Sequence, residues 1–332
     1  MGAAKKPLDA SVLELDYDKE IERVSARLRE ILSKEVMRRG FVCAMSGGID
    51  SSVSSSLCVK ALGPERVYGI MLPERDSSGF STARGKQLAE HLKIRHEVFD
   101  IAPALEGIGC YRQRDEAIRR VFPEYTDGWK NKIVIKGGLE GRINHFELVV
   151  QAPSGELKTA RLPLPEYLQI VAATNHKQRI RKTVEYYHAD RLNYAVIGTP
   201  NRLEYDQGFF VKNGDGSADV KPIAHLYKSQ VYALARHMKL PAEICAAIPT
   251  TDTYSLAQGQ DEFYFALPYA QMDLALYALN HGYTAAELGK ALNLSEQQAQ
   301  QVFNDILAKR KATRYMHLKP QLVEAVTELN LP

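Results

Sequence analysis

The sequence predicts an α/β fold: a doubly wound parallel sheet with helices on both faces, carrying an antiparallel β insertion and a helical C-terminal tail. Short apolar runs alternate with amphipathic stretches from Phe41 to Asp100, and the alternation resumes from Thr174. Glycine pairs and short alternating runs interrupt that rhythm between about 125 and 165. Two capping-box patterns, Thr284-x-x-Glu287 and Ser295-x-x-Gln298, open helices near the C-terminus.

The first helix is expected over residues 18–39, where Ile21, Val24, Leu28, Ile31, Leu32 and Val36 fall at helical spacing between Asp18 as N-cap and Gly40 as stop. Phe41-Val42-Cys43-Ala44-Met45 reads as a buried strand and runs straight into Ser46-Gly47-Gly48-Ile49-Asp50-Ser51-Ser52. A helix follows to Leu62 and ends at Gly63-Pro64. Arg66 to Leu72 is the next strand, Ser81 to Leu92 a helix, and Arg95 to Asp100 a third strand. That order implies right-handed βαβ units and therefore parallel pairing. In the insertion, residues 132–135, 145–150 and 157–162 alternate in polarity, with Gly137-Gly138, Glu140-Gly141 and Ser154-Gly155 between and after them. A helix from Thr174 to Asp190, a strand from Asn193 to Ile197 and a helix from Lys228 to Met238 restore the α/β pattern. The tail reads as two short amphipathic helices, the second carrying Val302, Phe303, Ile306 and Leu307. Basic residues gather only after it, at Lys309-Arg310-Lys311, so a packed tail is expected in preference to a DNA-reading helix-turn-helix.

Composition narrows the class. The 332 residues suit one large domain with an appendage, and 45% hydrophobic and 25% charged residues are ordinary for a globular protein. The formal charge of +3 gives no reason to expect a nucleic-acid partner. Cys43, Cys58, Cys110 and Cys245 form no C-x-x-C pair, which argues against a zinc site or a disulfide framework; Cys43 and Cys58 read as core residues. No signal peptide and no run of about 18 apolar residues is visible, so a cytoplasmic protein without a membrane partner is expected.

The chemistry is concentrated at the turn after the first strand. Gly47 and Gly48 let the backbone turn tightly and present its N–H groups, while the following helix aims its positive end at the same point. Ser46, Ser51 and Ser52 add hydroxyl donors, which together make a nest for a polyphosphate. The loop is not a Walker A motif, because the G-x-x-x-x-G-K-[ST] spacing is absent. Asp50 would repel phosphate on its own and makes sense if a Mg²⁺ bridges it to the phosphate oxygens. Thr199 follows a buried strand, where open α/β sheets bind ligands. Glu204, five residues on, can join Asp50 around the metal, Lys228 can neutralise departing pyrophosphate, and Thr250 can donate to the same group. Asp215, between two glycines, reads as a turn former.

The S-G-G-x-D-S loop resembles the pyrophosphate loop of the N-type ATP pyrophosphatases, and further motifs resemble the ammonia-dependent NAD synthetases within them. Residues 197–222 read IGTPNRLEYDQGFFVKNGDGSADVKP, similar to that family's G-T-x-N-x-x-E and G-[YF]-x-x-K-x-G-D-G-x-A-D segment. Asn175-x-x-x-Arg179-x-Arg181, Leu226-x-Lys228-x-x-Val231, Pro249-Thr250-Thr251-Asp252 and Asp261-Glu262 match in order. The resemblance covers most of residues 15–282, and it makes 1–282 the catalytic domain, of adenine nucleotide alpha hydrolase type, and 283–332 the tail. It implies ATP contacts at Ala44, Met45, Ser46, Gly47, Gly48, Ile49, Asp50, Ser51, Thr199, Lys228 and Thr250, and Mg²⁺ at Asp50 and Glu204. It also implies substrate contacts at Arg179, Lys212 and Asp219, catalytic roles for Asp50, Lys228 and Thr250, and a homodimer.

The implied reaction has two steps: a carboxylate attacks the α-phosphorus of ATP, then ammonia displaces AMP from the acyl-adenylate. With no further stretch of about 250 residues to hydrolyse glutamine, ammonia is expected free or from a separate glutaminase. The chain is a divergent member on this reading. Tyr315-Met316-His317-Leu318-Lys319-Pro320 stands where the family pattern has His-Lys-Arg-x-x-Pro, the insertion precedes the Arg179 helix, and Pro200 with Tyr205-Asp206-Gln207 gives an unusual loop. Trp129 is a stacking surface in that insertion or, more simply, a core filler. Three readings of the acceptor half follow: amidation of deamido-NAD, which is favoured; a related ligase acting on another carboxylate; and a non-catalytic ATP-binding protein.

Overall fold

The computed structural model describes residues 5–136, 145–247, 254–256, 259, 264, 265, 267–324 and 326. Four strands form a parallel sheet: β1 (Phe41–Ala44), β2 (Val67–Met71), β3 (Arg95–Val98) and, much later in the chain, a strand at Ala195–Ile197. Their spatial order puts β1 between β2 and that last strand. The chain therefore steps to one side of β1 first and returns on the other, which opens a crevice at the carboxyl end of β1. The glycine loop sits at that point.

Side chains alternate across the sheet. Phe41, Cys43, Ala195 and Ile197 face a core shared with Leu28 of α1 (Tyr17–Glu30), Val53 and Leu57 of α2 (Ile49–Leu62), and a helix at Lys228–His237. Val42, Ile70 and Val196 face the opposite core, with Ile101, Leu105 of α4 (Ala102–Gly107), Tyr111 of α5 (Cys110–Val121) and Ala189. This period of two is what places helices on both faces. Between β2 and β3 runs α3 (Gly79–His91). The first helix does not run regularly to residue 39: it widens into a π turn at Ile31–Glu35 and ends there.

The insertion is an antiparallel meander, β4 (Lys130–Lys136), β5 (His145–Gln151) and β6 (Leu157–Arg161). Leu148 pairs with Ile133 on one side and Ala160 on the other. Its buried face, Ile133, Leu148 and Val150, packs on Ile118 and Phe122 at the end of α5 and on Ile170. Trp129 is half-buried in this cluster beside Tyr125, as a packing residue.

The helix expected from Thr174 starts ten residues earlier: α6 spans Leu164–Leu192. Pro165 disguised that start, yet proline is tolerated in a first turn where its missing N–H has no helical partner. After α6 come β7 (Ala195–Ile197), the strand that pairs with β1, then α7 (Arg202–Gln207), α8 (Lys228–His237) and α9 (Ala242–Cys245). Next comes α10 (Tyr269–Asn280), and the tail forms α11 (Ala285–Leu292) and α12 (Glu296–His317). Thr284 and Ser295 make the expected capping boxes. The second tail helix is not short: α12 has 22 residues, because it packs on α7 and α10 beyond the apolar stretch that marked it in the sequence. Among the described residues no helix is long and apolar enough to cross a membrane.

Candidate active site

Gly47 has φ +74°, and a Cβ there would lie 2.3 Å from the carbonyl oxygen of Ser81. Only glycine fits that turn against α3. Arg84 of α3 donates to the Gly47 carbonyl at 3.0 Å, which fixes the turn's orientation. Gly48 is the N-cap of α2 and has no side chain to satisfy the first-turn N–H groups. Ser46 and Ser51 hydroxyls lie 3.1 Å apart and close the loop internally. The first turn of α2 thus retains free donors for an anionic ligand.

Asp50 leaves the first turn of α2 and meets two partners from the far side of the crevice. Lys228, the first residue of α8 and 1% exposed, forms an ion pair with its Oδ2. Asn201 donates from Nδ2 to its Oδ1 at 3.1 Å. The same Asn201 is the N-cap of α7: its Oδ1 accepts from the N–H groups of Leu203 and Glu204, and the Glu204 carboxylate accepts from the Asn201 N–H at 3.1 Å. One asparagine therefore binds both acidic side chains and brings residues 50 and 204 together across the crevice.

The electrostatics follow from this packing. Burial and then the neighbouring Asp50 push the Glu204 carboxyl up, to about 8. Burial opposes the charge on Lys228, but Asp50 and Glu204 outweigh it and raise its pKa. Asp273 of α10 accepts the backbone N–H groups of Lys228 at 3.1 Å and Ser229 at 2.7 Å, and so anchors the start of α8. Two hard oxygen ligands that crowd each other, beside a phosphate nest, suit Mg²⁺ completed by phosphate oxygens and water. Among the described residues there is no cluster of three metal-ligating side chains.

These residues open on a cavity of about 790 Å³. Ala44, Met45, Ser46, Gly48, Ile49, Asp50, Ser51, Thr199, Glu204 and Lys228 line it, while Gly47 is not among the lining residues. Several lining residues had no marker in the sequence. The insertion contributes Ile135 and Phe146, whose ring stacks on Tyr167 of α6 at 4.1 Å. The α6 helix contributes Gln178, Lys182 and Glu185, the last two paired at 2.5 Å, beside Asn175 and Arg181, which the family motif had marked. Asp215, expected as a turn former, does accept the Val211 N–H at 2.7 Å, but it is also a lining residue. The tail helix contributes Lys309, Ala312, Thr313 and Met316.

Arg179, Lys212 and Asp219 are not among the lining residues. Arg179 is exposed and donates to the Lys212 carbonyl at 3.3 Å. Asp219 accepts the Val196 N–H at 2.7 Å and a bond from Tyr186, which ties it to β7. Thr250, together with Asp252 and Asp261-Glu262, lies outside the described residues.

The family model described as NAD synthase matches residues 20–121 and 134–315. The NH(3)-dependent NAD(+) synthetase of Rhizobium meliloti (strain 1021) is 56% identical over 96% of this chain and 96% of its own length. The protein of the same name from Mesorhizobium japonicum is 54% identical over 96% of this chain and all of its own length. The solved structure of NMN synthetase from Francisella tularensis covers 93% of this chain and all of its own, with a TM-score of 0.60 at 24% identity, a likeness of fold. The chain belongs to the NAD synthase family.

Proposed function

We propose that this chain amidates deamido-NAD to NAD, using ATP and ammonia. The nicotinate carboxylate attacks the α-phosphorus of ATP and pyrophosphate leaves; ammonia then attacks the acyl carbon, AMP leaves, and the ammonium-derived nitrogen loses a proton. The observation that carries this reading is the meeting of Asp50, Glu204 and Lys228 at the mouth of the glycine loop, with Asn201 bonded to both acidic residues and Lys228 paired with Asp50, inside the cavity of about 790 Å³. Asp50 and Glu204 would hold Mg²⁺. When bound, the metal neutralises charge on the phosphates and on the leaving pyrophosphate.

The chain's own groups do the rest. The free N–H groups of the α2 first turn and the Ser46 and Ser51 hydroxyls hold the triphosphate. Lys228 carries a buried positive charge beside the leaving group, where low polarity strengthens it. Among the described residues no serine–histidine or cysteine–histidine pair lines the cavity, and positioning accounts for the chemistry without one.

A homodimer is part of this proposal. The exposed face of α6 carries Leu164, Leu168 and Ala172 at helical spacing, with the charged Arg179 further along it, a patch suited to a second copy. Substrate contacts at Arg179, Lys212 and Asp219 belong to the proposal too, as groups that reach the dinucleotide across that interface. Incubation with Mg²⁺-ATP and deamido-NAD, with ammonium in one reaction and glutamine in another, tests the function. The reading expects NAD, AMP and pyrophosphate in equal amounts with ammonium. ADP as the product, or NAD formation independent of ammonium, would contradict it.

A further inference from the structure

Two unusual stretches of the sequence meet in space. Asp206, from the Tyr205-Asp206-Gln207 segment, receives both arms of Arg310 on α12: Nε to Oδ1 at 2.5 Å and Nη2 to Oδ2 at 2.8 Å. The Arg310 Nη2 also donates to Asn280 of α10 at 2.6 Å. His317 stands edge-on to Tyr205 and to Phe210, each at 5.1 Å. Lys212 caps the end of α12 by donating to the Tyr315 and Leu318 carbonyls at 2.9 and 3.1 Å. Gly208 closes α7 with φ +68°, and a Cβ there would meet Thr313 at 2.3 Å.

The supported element is α7, six residues long. A helix of that length does not hold its own position. At about 100° per residue, Glu204 and Asp206 point to nearly opposite sides of it. Glu204 faces Asn201 and Asp50, while Asp206 faces α12 with its side chain 8% exposed. Arginine suits the task because its planar fork fixes a carboxylate in two directions.

We infer that Arg310, acting through Asp206, is a positioning residue for Glu204, and that α12 is a working part of the metal site. The inference rests on the reading that Glu204 helps to hold Mg²⁺. The test measures Mn²⁺ binding by electron paramagnetic resonance, with α,β-methylene-ATP present, in the full chain and in R310M, R310K, D206N, the double variant D206N/R310M and E204Q. Loss of a group that orients a metal ligand lowers affinity about 10- to 100-fold. R310M and D206N are expected to weaken Mn²⁺ by about tenfold or more. The double variant is expected to be no worse than either single change, and R310K to recover part of the loss. D206N preserves side-chain size and a hydrogen bond to Arg310, so it remains informative if R310M does not fold. Unchanged Mn²⁺ affinity in D206N and R310K alongside a weakened E204Q overturns the positioning role and leaves the metal assignment standing. Unchanged affinity in E204Q overturns both.

Discussion

Replacing Lys228 by methionine separates two effects that a single cation now combines. The lysine is paired with Asp50 and raised in pKa by Asp50 and Glu204. A metal ion arriving at Asp50 must compete with that ion pair. A hydrogen bond to a charged group is worth about 1.5–3 kcal/mol, so its removal frees Asp50 by roughly 10- to 100-fold in favour of a divalent ion. Methionine fills much of the lysine's buried volume without its charge, which limits the packing loss. K228M should therefore bind Mn²⁺ about tenfold or more tightly in the absence of nucleotide. Turnover should move the other way. Removing a buried donor to the leaving group costs about 10²–10³ in rate, by analogy with other preorganised oxyanion contacts. The assay pairs Mn²⁺ titration of the free protein with steady-state AMP formation. Metal affinity falling together with turnover would refute the reasoning, because it would mean that Lys228 supports the metal site and does not compete with it.

Other perturbations follow from the same geometry. G47A places a methyl group 2.3 Å from the Ser81 oxygen at φ +74°. It should lower stability by at least about 1–2 kcal/mol and raise the KM for ATP, read by thermal unfolding and kinetics. Asp273 is raised from 3.8 to about 6 by burial, although the Ser229 and Lys228 N–H groups oppose this. Between those values the folded protein keeps a proton that the unfolded chain has released, so stability falls as pH rises through the window and is level above it. D273N should abolish that slope, whose ceiling is about 3 kcal/mol, in urea unfolding at pH 4.5 and pH 7. A slope of equal size in D273N would assign it to another group.

The sheet and the glycine loop were legible because their causes are local. Alternating Phe41, Val42 and Cys43 sort to opposite cores, and Ser46–Ser51 can only turn and nest where two glycines permit it. Even the insertion's three strands were marked, by runs of alternating polarity between glycines. Asn201-x-x-Glu204, inside the G-T-x-N-x-x-E segment, is a capping-box spacing that predicts a bond between the two. Its reach to Asp50, 151 positions away, is a product of the crossover and has no sequence marker. The same holds for Phe146 and for Thr313 and Met316, which reach the cavity only because the insertion and α12 fold back over it. Pro165 hid the first ten residues of α6, a case where a residue that breaks helix interiors begins one.

The central claim is that the carboxylate of the substrate itself attacks the α-phosphorus of ATP. Deamido-NAD labelled with ¹⁸O in its carboxyl group, incubated with the protein, Mg²⁺-ATP and ammonium, tests it by mass spectrometry of the products. The account predicts one labelled oxygen in each AMP and none in pyrophosphate. Label in pyrophosphate or inorganic phosphate, with unlabelled AMP, would contradict it.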